Sequence, residues 1–454
     1  MLILSTLLIL YIVPFLSAQA PITSGTDAGS AALTINLQEA LSRARKYGAQ
    51  IQTATIAAEI AHEDKRQAKA AALPSLNALN QFIYTEGNGT PSGVFIANDG
   101  VHVYNEQAVV HQELFSVVRR GEIRRAAAAE AVARAKADVA ARGLNATVVQ
   151  DYYAIASAER RLKNAKLTLS ESERFLEITQ KQEHGGEVAH SDVIKAQLGV
   201  QQHQRDVEDA QLAVEKAKVA MGVLILPDVQ QEYEIVDDLD KPVLLPTMPE
   251  ASRQAATNSP DVRAARASVQ ESRLGVNVAR YAYLPSLALD FFYGIDANQF
   301  AARTNDLTQA SGHITLPHYE VTHRQNLGYV GQVTMTVPIW SWGSIGSKVK
   351  QASLKQRQAE LDLSLSQKQL QADLASAYRE AQTASAQVES LRSSSDLAAE
   401  SLRLTVLRYQ AGEATALEVV DAQTTASQSR TGYSDGLLRY RVAVANLQIL
   451  TGTF

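Results

Sequence analysis

The residues best placed for chemistry in this 454-residue sequence are carboxylates beside glycine turns. Glu418 and Asp421 stand three residues apart, just beyond Gly412. Thr415-Ala416-Leu417-Glu418 has the capping-box pattern, in which a Thr hydroxyl and a Glu three residues later satisfy amides at a helix start. Acids in a first helical turn also interact favourably with the helix dipole. A second turn, at Gly186, is followed by Ser191-Asp192. Tyr409 precedes Gly412 and ends a heptad seam. Nine histidines are present. His313, His318 and His323 recur every five residues, which fits neither a helix face nor a strand face, so a solvated loop is read there. His184 and His190 flank the Gly186 turn and read as exposed side chains. There is no cysteine, which excludes disulfides, thiolate metal sites and a cysteine nucleophile. No nucleotide-binding glycine loop, zinc-ligand helix or nucleophile elbow occurs. The sequence therefore predicts no enzyme activity, no cofactor and no metal site. A net charge of -5 without a polybasic tract predicts no nucleic-acid partner.

The elements around these residues come in two copies. Gly186-Glu187-Val188-Ala189-His190-Ser191-Asp192-Val193 returns as Gly412-Glu413-Ala414-Thr415-Ala416-Leu417-Glu418-Val419, at an offset of 226. Leu73-Pro74-Ser75 returns as Leu284-Pro285-Ser286, at an offset of 211. The second copy thus carries fifteen extra residues ahead of its long helix. A repeat of this size fixes architecture before any single residue does. Each unit reads helix, strand pair, very long helix, tight turn, helix. A first helix is predicted over 37–72, capped by Asn36, and a long one over about 119–182. Val148, Ile155, Leu162, Leu169 and Leu176 fall every seven residues, as do Leu374, Ala381, Val388, Ser395, Leu402 and Tyr409. Such heptads give supercoiled helices. Roughly 64 residues span about 95 Å, so the two shorter helices of a unit, stacked, match its long one. The predicted division is a signal peptide at 1–20, a first repeat at 21–226, a linker at 227–248 and a second repeat at 249–454. The linker is acidic, with Asp237, Asp238 and Asp240, and has room for a short strand.

The strand pairs are of another kind. Strands are predicted at about 76–86 and 102–115, and at about 286–295 and 327–339. In the second pair Leu287, Leu289, Phe291, Tyr293 and Ile295, and Leu327, Tyr329, Val333 and Met335, alternate with small or polar residues. Strands of about 9–11 residues suit a tilted membrane crossing. Four strands cannot close a barrel, and open edges do not survive in lipid. Several chains must then share one barrel. A secreted or periplasmic coiled-coil scaffold without a pore is the alternative.

These turns, the paired Leu-Pro-Ser corners, Val337-Pro338-Ile339-Trp340-Ser341-Trp342-Gly343 and the closing Ala445-Asn446-Leu447-Gln448-Ile449-Leu450-Thr451-Gly452 together resemble the TolC-like outer-membrane efflux protein family. The fold class implied is mainly α with a membrane β-barrel portion. The resemblance implies a homotrimer with a twelve-stranded shared barrel in outer-membrane lipid and a periplasmic α-helical barrel. It implies a passive exit duct for a tripartite efflux pump or a type I secretion system. The partners implied are a periplasmic adaptor (membrane fusion) protein and an inner-membrane transporter. Gly186, Val188, Gly412 and Ala414 then mark the adaptor-docking turns. Glu418 and Asp421 match acids lining a periplasmic constriction, and Asp192 and Tyr409 match residues of a network that holds it shut. Ala414 stands where a relative has a gate arginine. Arg119, Arg120, Arg124, Arg125, Lys348 and Lys350 stand where the long helices leave the barrel, facing lipid head groups or water.

Overall fold

The computed structural model describes residues 33–84, 102–228, 231–241, 243, 245–297 and 327–453. The predicted leader, the glycine-rich stretch near 87–91 and the loop holding His313, His318 and His323 lie outside them.

The first repeat begins with β1 (Leu33–Ile35), α1 (Leu37–Tyr47) and α2 (Ala49–Ala70). The Asn36 side chain accepts from the Glu39 amide at 2.9 Å and starts α1. The single helix predicted over 37–72 is broken at Gly48, whose ψ of 116° is extended. A Cβ there would lie 2.5 Å from the Ala44 carbonyl oxygen, so the kink needs glycine. The second repeat breaks at the matching place by other means. Pro260 separates α5 (Met248–Asn258) from α6 (Pro260–Tyr281), because proline is at ease in a first turn and nowhere deeper.

The long helices are α3 (Val117–His184) and α7 (Ser344–Gln410), each followed by a 36-residue partner, α4 (His190–Ile225) and α8 (Ala416–Thr451). The 68 residues of α3 span about 100 Å. Helices α1, α2 and α4, of 11, 22 and 36 residues, together match that length. The packing makes a wall of four columns. Helices α2 and α4 pack on one side of α3, α6 and α8 on its other side, and α7 on the far side of α6 and α8. Along the predicted seams Val148, Ile155, Leu374, Ala381, Leu402 and Tyr409 are buried, and Leu162, Leu169, Leu176, Val388 and Ser395 are half-buried.

At mid-height β1 pairs in parallel with β4 (Tyr233–Ile235), the short strand of the linker. Ile35, Leu144, Val148, Tyr152, Ile155, Met221 and Ile225 form a fully buried core beneath them. The linker acids clamp this girth. Arg160 on α3 binds Asp237 at 2.5 Å and Asp240 at 2.6 Å. Buried Arg441 on α8 meets Asp238 at 3.0 Å and lies over the Tyr153 ring at 5.4 Å.

Strands β2 (Ser75–Tyr84), β3 (His102–Phe115), β5 (Ser286–Ala297) and β6 (Leu327–Thr336) form one antiparallel sheet in the order β2-β3-β5-β6. The register sets Leu287, Leu289, Tyr293 and Ile295 opposite Met335, Val333, Tyr329 and Leu327, so the apolar stripe runs across both strands. The opposite face carries Asn77, Gln107, His111, Asp290, Gln332 and Thr334, with His111 and Asp290 directly paired at 2.6 Å. Gly294 sits opposite Gly328, and a Cβ on it would come 2.2 Å from the Glu106 carbonyl oxygen. Strand β6 stops at Thr336, short of 339, because Pro338 has no amide to donate. Strands β2 and β6 are open edges within one chain.

Between α2 and α3 the buried Glu130 is ringed by Lys65 and His62, each at 2.8 Å, and Arg134 at 2.5 Å. Hydrogen bonds from Lys65 and His62, then the Arg134 and Lys65 charges, hold its carboxyl down at about 2 against the effect of burial. A carboxyl that sits lower in the folded state stabilises it above the ordinary value and loses that contribution as pH falls towards the folded value. The parent's melting temperature is therefore expected to drop between about pH 4.5 and about pH 2. Glu130→Gln should melt lower at neutral pH and show a flatter profile across that window, as read by circular dichroism.

Candidate functional site

The two helix turns lie together at the end of the wall remote from the sheet. Gly186 and Gly412 have φ of 78° and 77°, the left-handed region open to glycine at no steric cost. In each turn the amide three residues past the helix end reaches back: Glu187 to Gln182 at 2.9 Å, and Glu413 to Arg408 at 2.8 Å. Both glycines are exposed. Val188 and Ala414 are half-buried and pack on a small core of Phe175, Ala196, Tyr409, Ala416 and Val419. Of the four turn positions, the glycines thus form the outer surface and Val188 and Ala414 the support beneath.

The carboxylates differ in what they are bound to. The Thr415 side chain accepts from the Glu418 amide at 3.3 Å, and the Glu418 carboxylate accepts from the Thr415 amide at 3.2 Å. The capping box is therefore formed. The other Glu418 oxygen is 3.6 Å from the Arg408 guanidinium, which also donates to the Glu413 carbonyl at 3.0 Å. Arg408 was not singled out from the sequence. The available signal is a base in the last turn of one helix and an acid in the first turn of the next, across a tight glycine turn. Asp192 pairs with Lys195 at 3.5 Å. Asp421 is exposed, and its carboxylate has no hydrogen bond or ion pair among the described residues.

Tyr409 is buried against Phe175, edge to face, with ring centroids 5.1 Å apart. Its hydroxyl is 3.5 Å from the Thr179 hydroxyl, at the outer limit of a hydrogen bond. Burial raises its pKa above 10; the Thr179 contact opposes this, and the nearby Asp192 charge adds to it. Within one chain Asp192 and Tyr409 are thus electrostatic neighbours with separate partners. Of the two histidines by the first turn, His190 binds Glu183 at 2.6 Å and His184 the Gln180 carbonyl at 2.9 Å. Above the turns, Arg430 on α8 grips Glu171 on α3 with two bonds of 2.8 and 2.9 Å.

A doubled wall of helices about 100 Å long, ending in an amphipathic antiparallel sheet, is the architecture of a channel subunit with a long helical extension. The family described as outer membrane efflux protein matches residues 36–225 and 251–453, and the chain belongs to it. The protein is thus an outer-membrane duct for efflux that extends into the periplasm, and not an enzyme. Among solved structures, a membrane protein from Pseudomonas aeruginosa shares 19% identity at a TM-score of 0.76, with 96% of this chain and 100% of that one covered. The CmeC outer membrane channel of Campylobacter jejuni shares 16% at 0.75, covering 95% and 90%. The open state of the MtrE outer membrane channel of Neisseria gonorrhoeae shares 21% at 0.72, covering 92% and 88%. No curated protein sequence matches the chain.

Proposed function

We propose that three copies of this chain form a passive exit duct, with a twelve-stranded barrel in the outer membrane above a helical tunnel. One observation carries the reading: a single chain leaves both ends of its wall and both edges of its sheet open. Among the described residues α3 is flanked on both sides, whereas α7 is flanked on one side alone, by α5, α6 and α8. Helix α7 exposes Leu354, Leu361, Leu365, Leu397 and Leu404, while α2 and α4 expose Ile56, Ile60, Leu198, Leu212 and Val219. The repeat says what belongs there. As α3 packs on α6 and α8, so α7 packs on α2 and α4 of the next copy. The same operation pairs β6 with the next β2 and removes the open edges that lipid forbids. Six repeats then surround one axis.

The interface between chains differs in chemistry from the seam within one. The internal pair Glu171–Arg430 maps, at the offset of 226, onto Leu397 and Gln204. The contact between chains is thus more apolar. Leu361→Glu with Leu365→Glu is expected to split the detergent-solubilised trimer into monomers, read as a threefold fall in mass by light scattering. A trimer that survives both substitutions would overturn this arrangement.

On this reading the Gly186, Val188, Gly412 and Ala414 turns receive a periplasmic adaptor protein, and an inner-membrane transporter supplies the energy. The assembly is a tripartite pump or a type I secretion system. Glu418, Asp421, Asp192 and Tyr409 surround the constriction, where carboxylates raise the local cation concentration. The test is single-channel recording: the trimer is expected to conduct in planar bilayers with a preference for cations, without nucleotide or other energy source. A monomeric, non-conducting product in mild detergent would defeat the proposal.

A further inference from the structure

The polar face of the sheet carries an ion pair whose net charge depends on a single proton. His111 on β3 and Asp290 on β5 stand directly opposite each other on the two central strands, with Nδ1 2.6 Å from Oδ1. A carboxylate only accepts, so the neutral imidazole donates from Nδ1 and leaves Nε2 as the atom that takes a further proton. The His111 side chain is 45% exposed and that of Asp290 24%, so the imidazole is the more open to solvent. Ser75 on β2 and Gln332 on β6 complete the row across the sheet, and both are uncharged. The pair thus carries one negative charge while the imidazole is neutral and none once it is protonated.

The surroundings leave that charge uncompensated. One row towards the helices, Glu113 stands with Ala288 and Thr334, and Arg119 already holds it at 3.0 Å. Among the described residues the polar-face positions of β2 and β6 hold no titratable side chain, and Asp296 lies six residues further along β5. One row away from the helices stand Asn77, Val109, Phe292 and Val330. Three of these four are apolar on a face that is otherwise largely polar, and Val109 and Phe292 are half-buried. Strand alternation does not ask for them there. Beside a charge, apolar side chains make a low-dielectric wall, which focuses its field into the adjoining water.

We infer that His111 and Asp290 form a proton-controlled cation filter inside the barrel, open to cations while the imidazole is neutral and silenced when it takes a proton. A barrel turns its apolar face to lipid, so this face lines the lumen. Threefold symmetry sets three pairs at one level, with a joint charge of three carboxylates or none. Histidine is the side chain whose ordinary charge change falls between about pH 5 and pH 8. The inference rests on the trimeric duct reading and adds to it a second selectivity element, remote from the turns and exposed to the outer solution.

Reversal potentials of the full-length trimer in planar bilayers test it, at about 10 mM potassium chloride, where the screening length of about 30 Å lets charges on a wide wall be felt. The potassium-over-chloride permeability ratio is expected to fall about threefold when the chamber on the barrel side alone is taken from about pH 8 to about pH 5. His111→Gln should hold the ratio at the parent's high-pH value throughout, because Asp290 keeps its charge. Asp290→Asn should start at the parent's low-pH value and fall further on acidification, because an unpaired imidazolium remains. The double variant should be flat at the parent's low-pH value. If Asp290→Asn fails to insert, His111→Gln still decides the question. A parent without pH dependence overturns the filter, as does a pH dependence that survives His111→Gln. A response to acid on the turn side alone would assign the proton to His184 or His190 and also overturns it. Each of these results leaves the duct standing; failure of the parent to insert and conduct defeats both.

Discussion

Neutralising Asp421 is expected to cost the duct about tenfold in cation preference, whereas removing Glu418 and Arg408 together should cost almost nothing. The turns hold three acids of interest, and the structure commits two of them. Asp192 lies beside Lys195 at 3.5 Å, and Glu418 lies beside Arg408 at 3.6 Å while also closing the Thr415 capping box. Each of these pairs contributes little net field along a pore axis. Asp421 is exposed with no described partner, and its counterpart in the first repeat is Lys195. Three copies would therefore present three uncompensated carboxylates at one level. The argument fixes signs. Asp421→Asn lowers cation preference. Arg408→Gln alone raises it, because Glu418 is released from its cation. Glu418→Gln alone lowers it, because Arg408 is left unpaired. Arg408→Gln with Glu418→Gln restores the parent value, because the charge removed is zero. Reversal potentials across a salt gradient measure each case. Equal losses in Asp421→Asn and in the double variant would show that the acids act as one ring.

The repeat is why so much of this architecture could be read from the sequence. Gly186 and Gly412, and the two Leu-Pro-Ser corners, set the offsets, and α1, α2 and α4 have the same lengths as α5, α6 and α8. Heptad spacing located the seams because burial in a helical wall is periodic, and Tyr409 does end its seam in the core. What the sequence obscured were contacts between distant segments. The break at Gly48 depends on the approach of Ala44 and Leu144, and no local signal as strong as Ser259-Pro260 marks it. The clamp of Arg160 and Arg441 on the linker acids joins residues 77 or more positions apart. Arg408 was hidden for a different reason. Position 414 is an alanine, and the guanidinium reaches Glu418 from the preceding helix instead. Asp192 and Tyr409 show the converse: residues that match a network by position need not bond to each other within one chain.

That last distinction makes the second large prediction. Tyr409→Ala is expected to destabilise the turn end by about 3–5 kcal/mol, the usual cost of deleting a buried aromatic ring, and to raise channel open probability several-fold. Tyr409→Phe is expected to leave both nearly unchanged. The ring is what the surroundings engage: it is buried, packs edge to face on Phe175, and joins Ala196, Ala416 and Val419 from both α4 and α8. Losing it would uncouple the two turns, since these contacts link α4 and α8 to one another through α7. The hydroxyl is less engaged. Its contact with Thr179 is 3.5 Å long, worth less than about 1 kcal/mol. Thr179 keeps a second bond, donating to the Phe175 carbonyl at 2.9 Å, so the substitution strands no buried donor. Planar-bilayer recordings and thermal melts of the two variants separate packing from hydrogen bonding as the force that holds the turns closed. Tyr409→Phe conducting like Tyr409→Ala would assign that force to the hydroxyl, through a contact made only between chains.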